Sequence, residues 1–376
     1  MQTTIKSSGR PRGTAIFCVF LIWAMSTSLP GAESDAPDGL DWRGDPPRPL
    51  MSLPRCEVQP RIDGRFDKEE WQDGVAVSSL MVLGKADGLG FPPTTLYLAR
   101  DAQHLYFAFR CLKEKPVWYD ARHRFRDSEV YREGNYVEFY LSPPGERGHI
   151  PVYQFNMNSY GAIADWRKIP AIGLKERGFN ARIELESSQS KREWYCEGRM
   201  KMDALSDDGF RDDQRWRANF ARSWPQQAWS LRPGRFINRE NLGFMHLRPE
   251  APALRWEDMS ELHARRLHLP VTIKNTSDAK QRYHLSARVT GKNYDDAVAT
   301  VEETVELTPG EQKRVVLSHG NAPLPERGHV ELTCQDAEKG TVYYHQFVRY
   351  TSFYSETFQS WEDGLRKGVT AQKKLR

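Results

Sequence analysis

The chain has 376 residues, of which 39% are apolar, 28% charged and 11% aromatic. That length supports two domains with cores of their own, and that balance excludes a disordered chain and a membrane-embedded bundle. Residues 1–32 hold three of the 54 Lys and Arg and none of the 50 Asp and Glu, so 51 basic and 50 acidic residues remain, a charge of +1. With no dense basic block beyond residue 32, nucleic acid is excluded as a partner.

Lys6, Arg10 and Arg12 precede an apolar run over residues 15–25. The run has the length of a signal-peptide core and is short for a bilayer span. Small residues follow, and cleavage is expected near Ala32, with Ser26 and Ser28 as alternatives. The expected product is exported, periplasmic or extracellular; an uncleaved anchor is the other reading. Cys18 follows Ile16 and Phe17, which does not match a lipidation site. Residues 33–54 are rich in Pro, Asp and Gly and read as a linker.

From residue 55 to 250 the pattern is of strands. Residues 96–111 predict a hairpin turning at 101–104, and residues 136–141 and 152–158 alternate as half-buried strands. Further strands are predicted over 181–186, 194–202, 216–222 and 242–247, with one short helical piece over 67–73. Trp71, Trp194 and Trp216 follow the core pattern. A second set covers 267–274, 283–289, 300–307, 313–317, 330–334 and 342–349, with a tight turn at Leu307-Thr-Pro-Gly-Glu311. Many short strands with Pro, Gly and Asn turns and no alternating helices predict an all-β protein. The expected architecture is an antiparallel β-sandwich over 55–250, a smaller immunoglobulin-like sandwich over 256–352 and a C-terminal tail over 353–376. Cys56, Cys111, Cys196 and Cys334 lie in no zinc-like spacing; Cys111 and Cys196 fall in apolar strand patterns and read as buried thiols, with any pairing of the four left open.

Several motifs occur in order over the larger region. They are Arg61-Ile-Asp-Gly-Arg-Phe-Asp-Lys-Glu-Glu-Trp71, Asp101 with His104-Leu-Tyr-Phe107, Asn135-Tyr-Val-Glu-Phe-Tyr140, and Gln154-Phe-Asn-Met-Asn158 followed by Gly161. Trp194 with Glu197, Trp216-Arg-Ala-Asn-Phe-Ala-Arg222, Ala228-Trp-Ser230 and Leu242-Gly243 complete the set. Together they resemble family 9 carbohydrate-binding modules, within the DOMON-like group of β-sandwiches; the resemblance does not extend to the second region. It implies an aromatic slot for a sugar ring, with polar side chains reading its hydroxyls. The two aromatic positions fall at Tyr131 (or Arg132) and Phe236, and Glu138 matches an acid of the family's site. Asn156 stands where the family has an Arg, and Ala221 where it has a Gln, so the sugar preference does not carry over.

The candidate ligand-binding residues are therefore Tyr131, Glu138, Asn156, Asn219, Arg222 and Phe236. Trp118 and Tyr119 offer a further aromatic platform or simple rim packing. The expected partner is a polysaccharide or oligosaccharide, bound without cleavage, with a carbohydrate-active enzyme or another surface protein as a further partner. No cofactor is expected, although acidic residues within 203–213 are compatible with a structural calcium ion. The alternatives are a surface assembly module without sugar affinity, a glycoside hydrolase using Glu138 and Glu197, and a haem module using Met157 and His104. No serine-nucleophile elbow or zinc-protease motif is present.

Overall fold

The computed structural model describes residues 48–82, 88–132, 135–145, 149–206, 209, 211–223, 226–230, 238–291, 297–320 and 322–352. The first strands are β1 (Leu50–Leu53), β2 (Val75–Val77), β3 (Met81–Val82), β4 (Thr94–Arg100), β5 (His104–Leu112), β6 (Tyr136–Ser142) and β7 (Val152–Asn158). There follow β8 (Ile163–Ile169), β9 (Leu174–Glu176), β10 (Glu184–Gln189), β11 (Glu193–Lys201), β12 (Arg215–Arg222), β13 (Gln227–Ala228) and β14 (Gly243–Leu247). The last are β15 (Ala253–Trp256), β16 (His268–Lys274), β17 (Gln281–Thr290), β18 (Ala297–Leu307), β19 (Gln312–Ser318), β20 (Arg327–Asp336) and β21 (Val342–Thr351).

Period-two alternation decides which side each strand buries. In β6, Val137, Phe139 and Leu141 are fully buried in the main core. In β11, Cys196 and Met200 do the same from the opposite sheet. Two sheets thus face each other across one apolar layer, the sandwich expected from the pattern. The first sheet has the order β18-β17-β20-β21-β1-β14-β12-β6-β7-β8-β9, with β13 beside β12 and β3 beside β13. The second has the order β10-β11-β5-β4-β2-β15-β16-β19.

Both sheets run unbroken across the boundary expected between residues 250 and 256. In the first, β1 pairs antiparallel with β21 and parallel with β14. In the second, β15 pairs parallel with β2 and antiparallel with β16. The two regions expected to form separate sandwiches therefore share both sheets. These two parallel pairings make the sheets mixed where an antiparallel pattern was expected.

Residues 50–53 correct the linker reading. They form a strand paired on both sides, with Met51 and Leu53 fully buried. The Pro-rich composition just before them concealed a four-residue apolar strand whose partners lie nearly two hundred and three hundred residues away in sequence.

The outer face of the second sheet is covered by the segment leading into β2. A second apolar cluster joins Trp71, Tyr97, Tyr106 and Tyr195, with Ile62 and Phe66 packed against it. Glu197 ties this cover down. Its carboxylate accepts the backbone N–H groups of Asp63 at 2.8 Å and Gly64 at 2.6 Å and the Tyr195 hydroxyl at 2.6 Å. Gly64 sits at φ +76°, a turn conformation that strains a side-chain-bearing residue. Trp71, Trp194 and Trp216 are core residues, as the pattern implied, and all four described cysteines are buried free thiols. Burial pushes the Cys56 thiol up to about 12 and the Cys111 thiol up to about 11, which suppresses their reactivity.

Trp256 lies at the seam, 1% exposed, with its ring 5.9 Å from that of Tyr344. Trp256→Ala is expected to destabilise the protein by about 3–5 kcal/mol, with one cooperative melting transition for both regions. Calorimetry and near-ultraviolet circular dichroism check this; two separate transitions would show that the regions unfold independently.

Candidate functional site

The outer face of the first sheet presents side chains from β12, β6, β7 and β8. Register sets Glu138 opposite Asn156 and Ala221, and Tyr140 opposite Gln154 and Asn219. On the next strand, Asn156 stands opposite Ala164 and Gln154 opposite Trp166. Every second residue of these strands thus contributes to one face, while their neighbours fill the core.

A connected polar strip crosses that face. Glu138 accepts from the Tyr140 hydroxyl, and a second hydrogen bond links it to Tyr136. Gln154 donates to Asn156 Oδ1 at 3.2 Å and accepts from Lys168 Nζ, while Asn156 Nδ2 donates to the Ala164 carbonyl at 3.3 Å. Burial raises the Glu138 carboxyl above its ordinary value, against the opposing pull of the two tyrosines and Lys168. Burial, then the like charge of Lys175, pushes the Lys168 ammonium down to about 8. An acid and an amine are thus both biased toward their neutral forms by the same loss of water.

An aromatic edge adjoins the strip. Val130, in the 3-10 turn Val130–Arg132, packs with Ala162, Ala164 and Trp166, and Tyr131 and Tyr136 lie against them. The Tyr131 and Trp166 rings meet edge to face at 5.2 Å between centroids, and Lys175 Nζ sits 3.9 Å from the Trp166 ring centre. Tyr131 remains half-buried, whereas Glu138 is only 8% exposed and Asn156 is fully buried. The face sets donors and acceptors beside aromatic rings, with Tyr131 and Lys168 its more open members.

Not every candidate joins it. Asn219 is fully buried and clamps the chain after β13: its Oδ1 accepts from the Ser230 and Phe220 N–H groups, each at 2.9 Å, and its Nδ2 donates to the Ser230 carbonyl at 3.1 Å. Arg222 shares the inward side of β12 with Phe220 and donates to Thr94 Oγ1 at 3.2 Å, so it lies between the sheets. Phe236 lies outside the described residues. Trp118 is 58% exposed, with Lys113 Nζ 5.8 Å from its ring centre and 4.3 Å from that of Tyr119.

About half of the chain is similar to family 9 carbohydrate-binding modules. Two solved structures of such a module from Caldicellulosiruptor kristjanssonii, in complex with glucose and with cellotriose, match at 15% identity. They cover 53% of this chain and 95% and 93% of theirs, with TM-scores of 0.36 and 0.35. A candidate carbohydrate-binding protein from Bacteroides uniformis is similar at 14% identity and TM-score 0.41, over 53% of this chain and 98% of its own. No protein-family model and no curated protein matches. At such identities and scores, what the face can hold is decided by this chain's own side chains.

The two other chemistries considered find no constellation in the residues nominated for them. Glu138 lies on the outer face of the first sheet and Glu197 on that of the second, so they cannot flank one glycosidic bond. Met157 is packed in the core, whereas His104 lies on the outer side of the second sheet. They do not converge on one haem. Within residues 203–213, Asp212 is committed to Arg55 and Arg100, at 2.6 and 2.9 Å.

Trp166, Lys168 and Gln154 belong to the site yet were not candidates. Gln154 lay in the strand expected over 152–158, whereas Trp166 and Lys168 lie in the run Ile163-Ala-Asp-Trp-Arg-Lys-Ile169, bounded by Gly161 and Pro170, whose charged residues obscured a strand.

The raised Glu138 carboxyl makes the native state hold a proton more tightly than the unfolded chain. Stability contributed by that proton is present below its ordinary value of 4.5 and is lost as pH rises through the higher native value. Glu138→Gln removes this loss, and its amide accepts from one tyrosine and donates to the other's oxygen. The variant is expected to melt at or above wild type at pH 7, the advantage vanishing below pH 4.5. Melting curves across pH check this; a variant less stable at pH 7 would contradict the assignment.

Proposed function

We propose that this chain is an exported, non-catalytic carbohydrate-binding protein that holds a glycan on the outer face of β6, β7 and β8. The single observation carrying the reading is the strip Glu138–Asn156–Gln154–Lys168 beside the Tyr131–Trp166 edge. Sugar recognition needs this pairing: apolar C–H faces pack on aromatic rings, and desolvated hydroxyls need fixed donors and acceptors. Glu138 accepts, Lys168 donates, and the two amides do both. Gln154 is bonded to both Asn156 and Lys168, and Glu138 to Tyr140 and Tyr136, which holds these groups in place before a ligand arrives and lowers the ordering entropy of binding.

Export is supported by the cationic head and apolar run of residues 1–32, and the buried free thiols are compatible with either redox compartment. The role is capture of polysaccharide outside the cytoplasm, with bond cleavage left to another protein.

Binding of the purified chain to a broad glycan array, followed by titration calorimetry, tests the proposal. Tyr131→Ala and Trp166→Ala are each expected to weaken the best glycan about tenfold, ~1.4 kcal/mol, with the fold intact by circular dichroism. Absence of binding to every glycan, with a specific protein co-purifying instead, would overturn it in favour of an assembly role.

A further inference from the structure

The outer side of the second sheet, across the core from the face just described, carries a cleft of 550 Å³. It is lined in part by His104, Arg182, Glu184, Arg199, Lys201 and Asp203. Strand register builds it, with Glu184 opposite Arg199 in β10 and β11, and Lys201 opposite His104 in β11 and β5. Its volume falls within the roughly 300–1,000 Å³ of small-ligand sites.

The charges in the cleft are not all spent on one another. Glu184 holds Arg199 at 2.6 Å, and Asp101 stands 3.4 Å from His104 Nδ1. Arg182 and Lys201 are both exposed, and neither side chain makes a hydrogen bond or ion pair among the described residues. Two uncommitted cations therefore share one concave surface with one uncommitted acid, Asp203.

The backbone at Arg182 is fixed in an unusual shape. Its φ is +51°, in the left-handed region that non-glycine residues rarely adopt. Asn180 Oδ1 accepts the Arg182 N–H and Asp165 Oδ2 accepts the Ala181 N–H, each at 2.7 Å. Asp165 is itself fully buried and anchored by Arg126 at 2.6 Å. A strained residue held from both sides is a recurrent feature of ligand clamps.

We propose that this cleft is a second binding site, for a saccharide that carries a carboxylate, such as a uronic acid residue. Arg182 supplies a planar fork matched to a carboxylate and Lys201 a second, compact positive charge. Asp203 and the Asn180 amide, which also lines the cleft, accept and donate to the hydroxyls of the same ring. The site stands independently of the aromatic face on the first sheet.

The test is titration calorimetry of the full chain, in EDTA, with a galacturonic acid trisaccharide and with its methyl ester, which keeps the rings and linkages but caps each carboxylate and removes its charge. The acid is expected to bind at least tenfold more tightly than the ester, and the difference to shrink as salt rises. Arg182→Gly and Lys201→Gln are each expected to weaken the acid about tenfold. Arg182→Gly should melt at or above wild type, because glycine accepts the positive φ, so lost binding cannot be ascribed to lost folding. Tyr131→Ala is expected to leave binding of the acid unchanged, which separates this site from the one proposed above. Equal binding of acid and ester, no binding of the acid, unaltered binding by both cleft variants, or loss of binding in Tyr131→Ala would each overturn the proposal. So would equally tight binding of a sulfated, uronate-free oligosaccharide, because the cleft would then read charge alone.

Discussion

Two seams of backbone hydrogen bonds organise this protein: β1 against β21 in the first sheet and β2 against β15 in the second. Without them each sheet would end in unpaired N–H and C=O groups, which invite aggregation and lose burial for the strands behind them. With them, the core passes without interruption from Phe139 and Phe220 in one half to Leu285 and Leu332 in the other. The first seam joins Leu50 and Met51 to Tyr344 and His345, almost the full length of the described chain. Such long-range pairing carries a large loop-closure entropy, which only a core shared by both halves can offset.

That continuous core gives the outer faces their rigidity, and rigidity lets buried polar groups keep defined geometry. Glu138 and Glu197 illustrate the point. Each lies on the outward side of a strand, each is almost wholly removed from water, and burial raises each carboxyl above its ordinary value. Their partners differ. Glu197 receives two backbone N–H groups and a tyrosine, which makes it the fastening of a covering turn. Glu138 is held by tyrosine hydroxyls within a network of side chains rather than by backbone groups.

The two outer faces also divide the chemistry. The first sheet sets amides and tyrosines beside aromatic rings, an environment for neutral polyols. The second leaves Arg182 and Lys201 uncommitted in a cleft, an environment for negative charge. The two proposed sites are separated by the full thickness of the core, so under those proposals one chain would hold two segments of a heterogeneous polymer, each raising the effective concentration at the other.

The period-two pattern, written into residues 136–141, 152–158 and 194–202, was sufficient to recognise the strands and which of their residues face inward, since alternation is a local property. It also held the information that Arg222 shares a side with Phe220, although the motif around it drew attention to its charge instead. Seven strands escaped, β1, β2, β3, β8, β9, β13 and β15, all but β8 four residues or shorter. Residues 50–53 are too short and too close to prolines to stand out, and residues 163–169 carry Asp, Arg and Lys where apolar residues would have marked a strand. The sequence by itself determined an all-β chain and its core tryptophans. Only the tertiary structure decided that the halves share their sheets, that Asn219 is a clamp, that Trp166 stands beside Tyr131, and that Glu138 and Glu197 lie on opposite faces. Those facts depend on strand neighbours distant in sequence, and pairing register is set by the whole core rather than by any local run of residues.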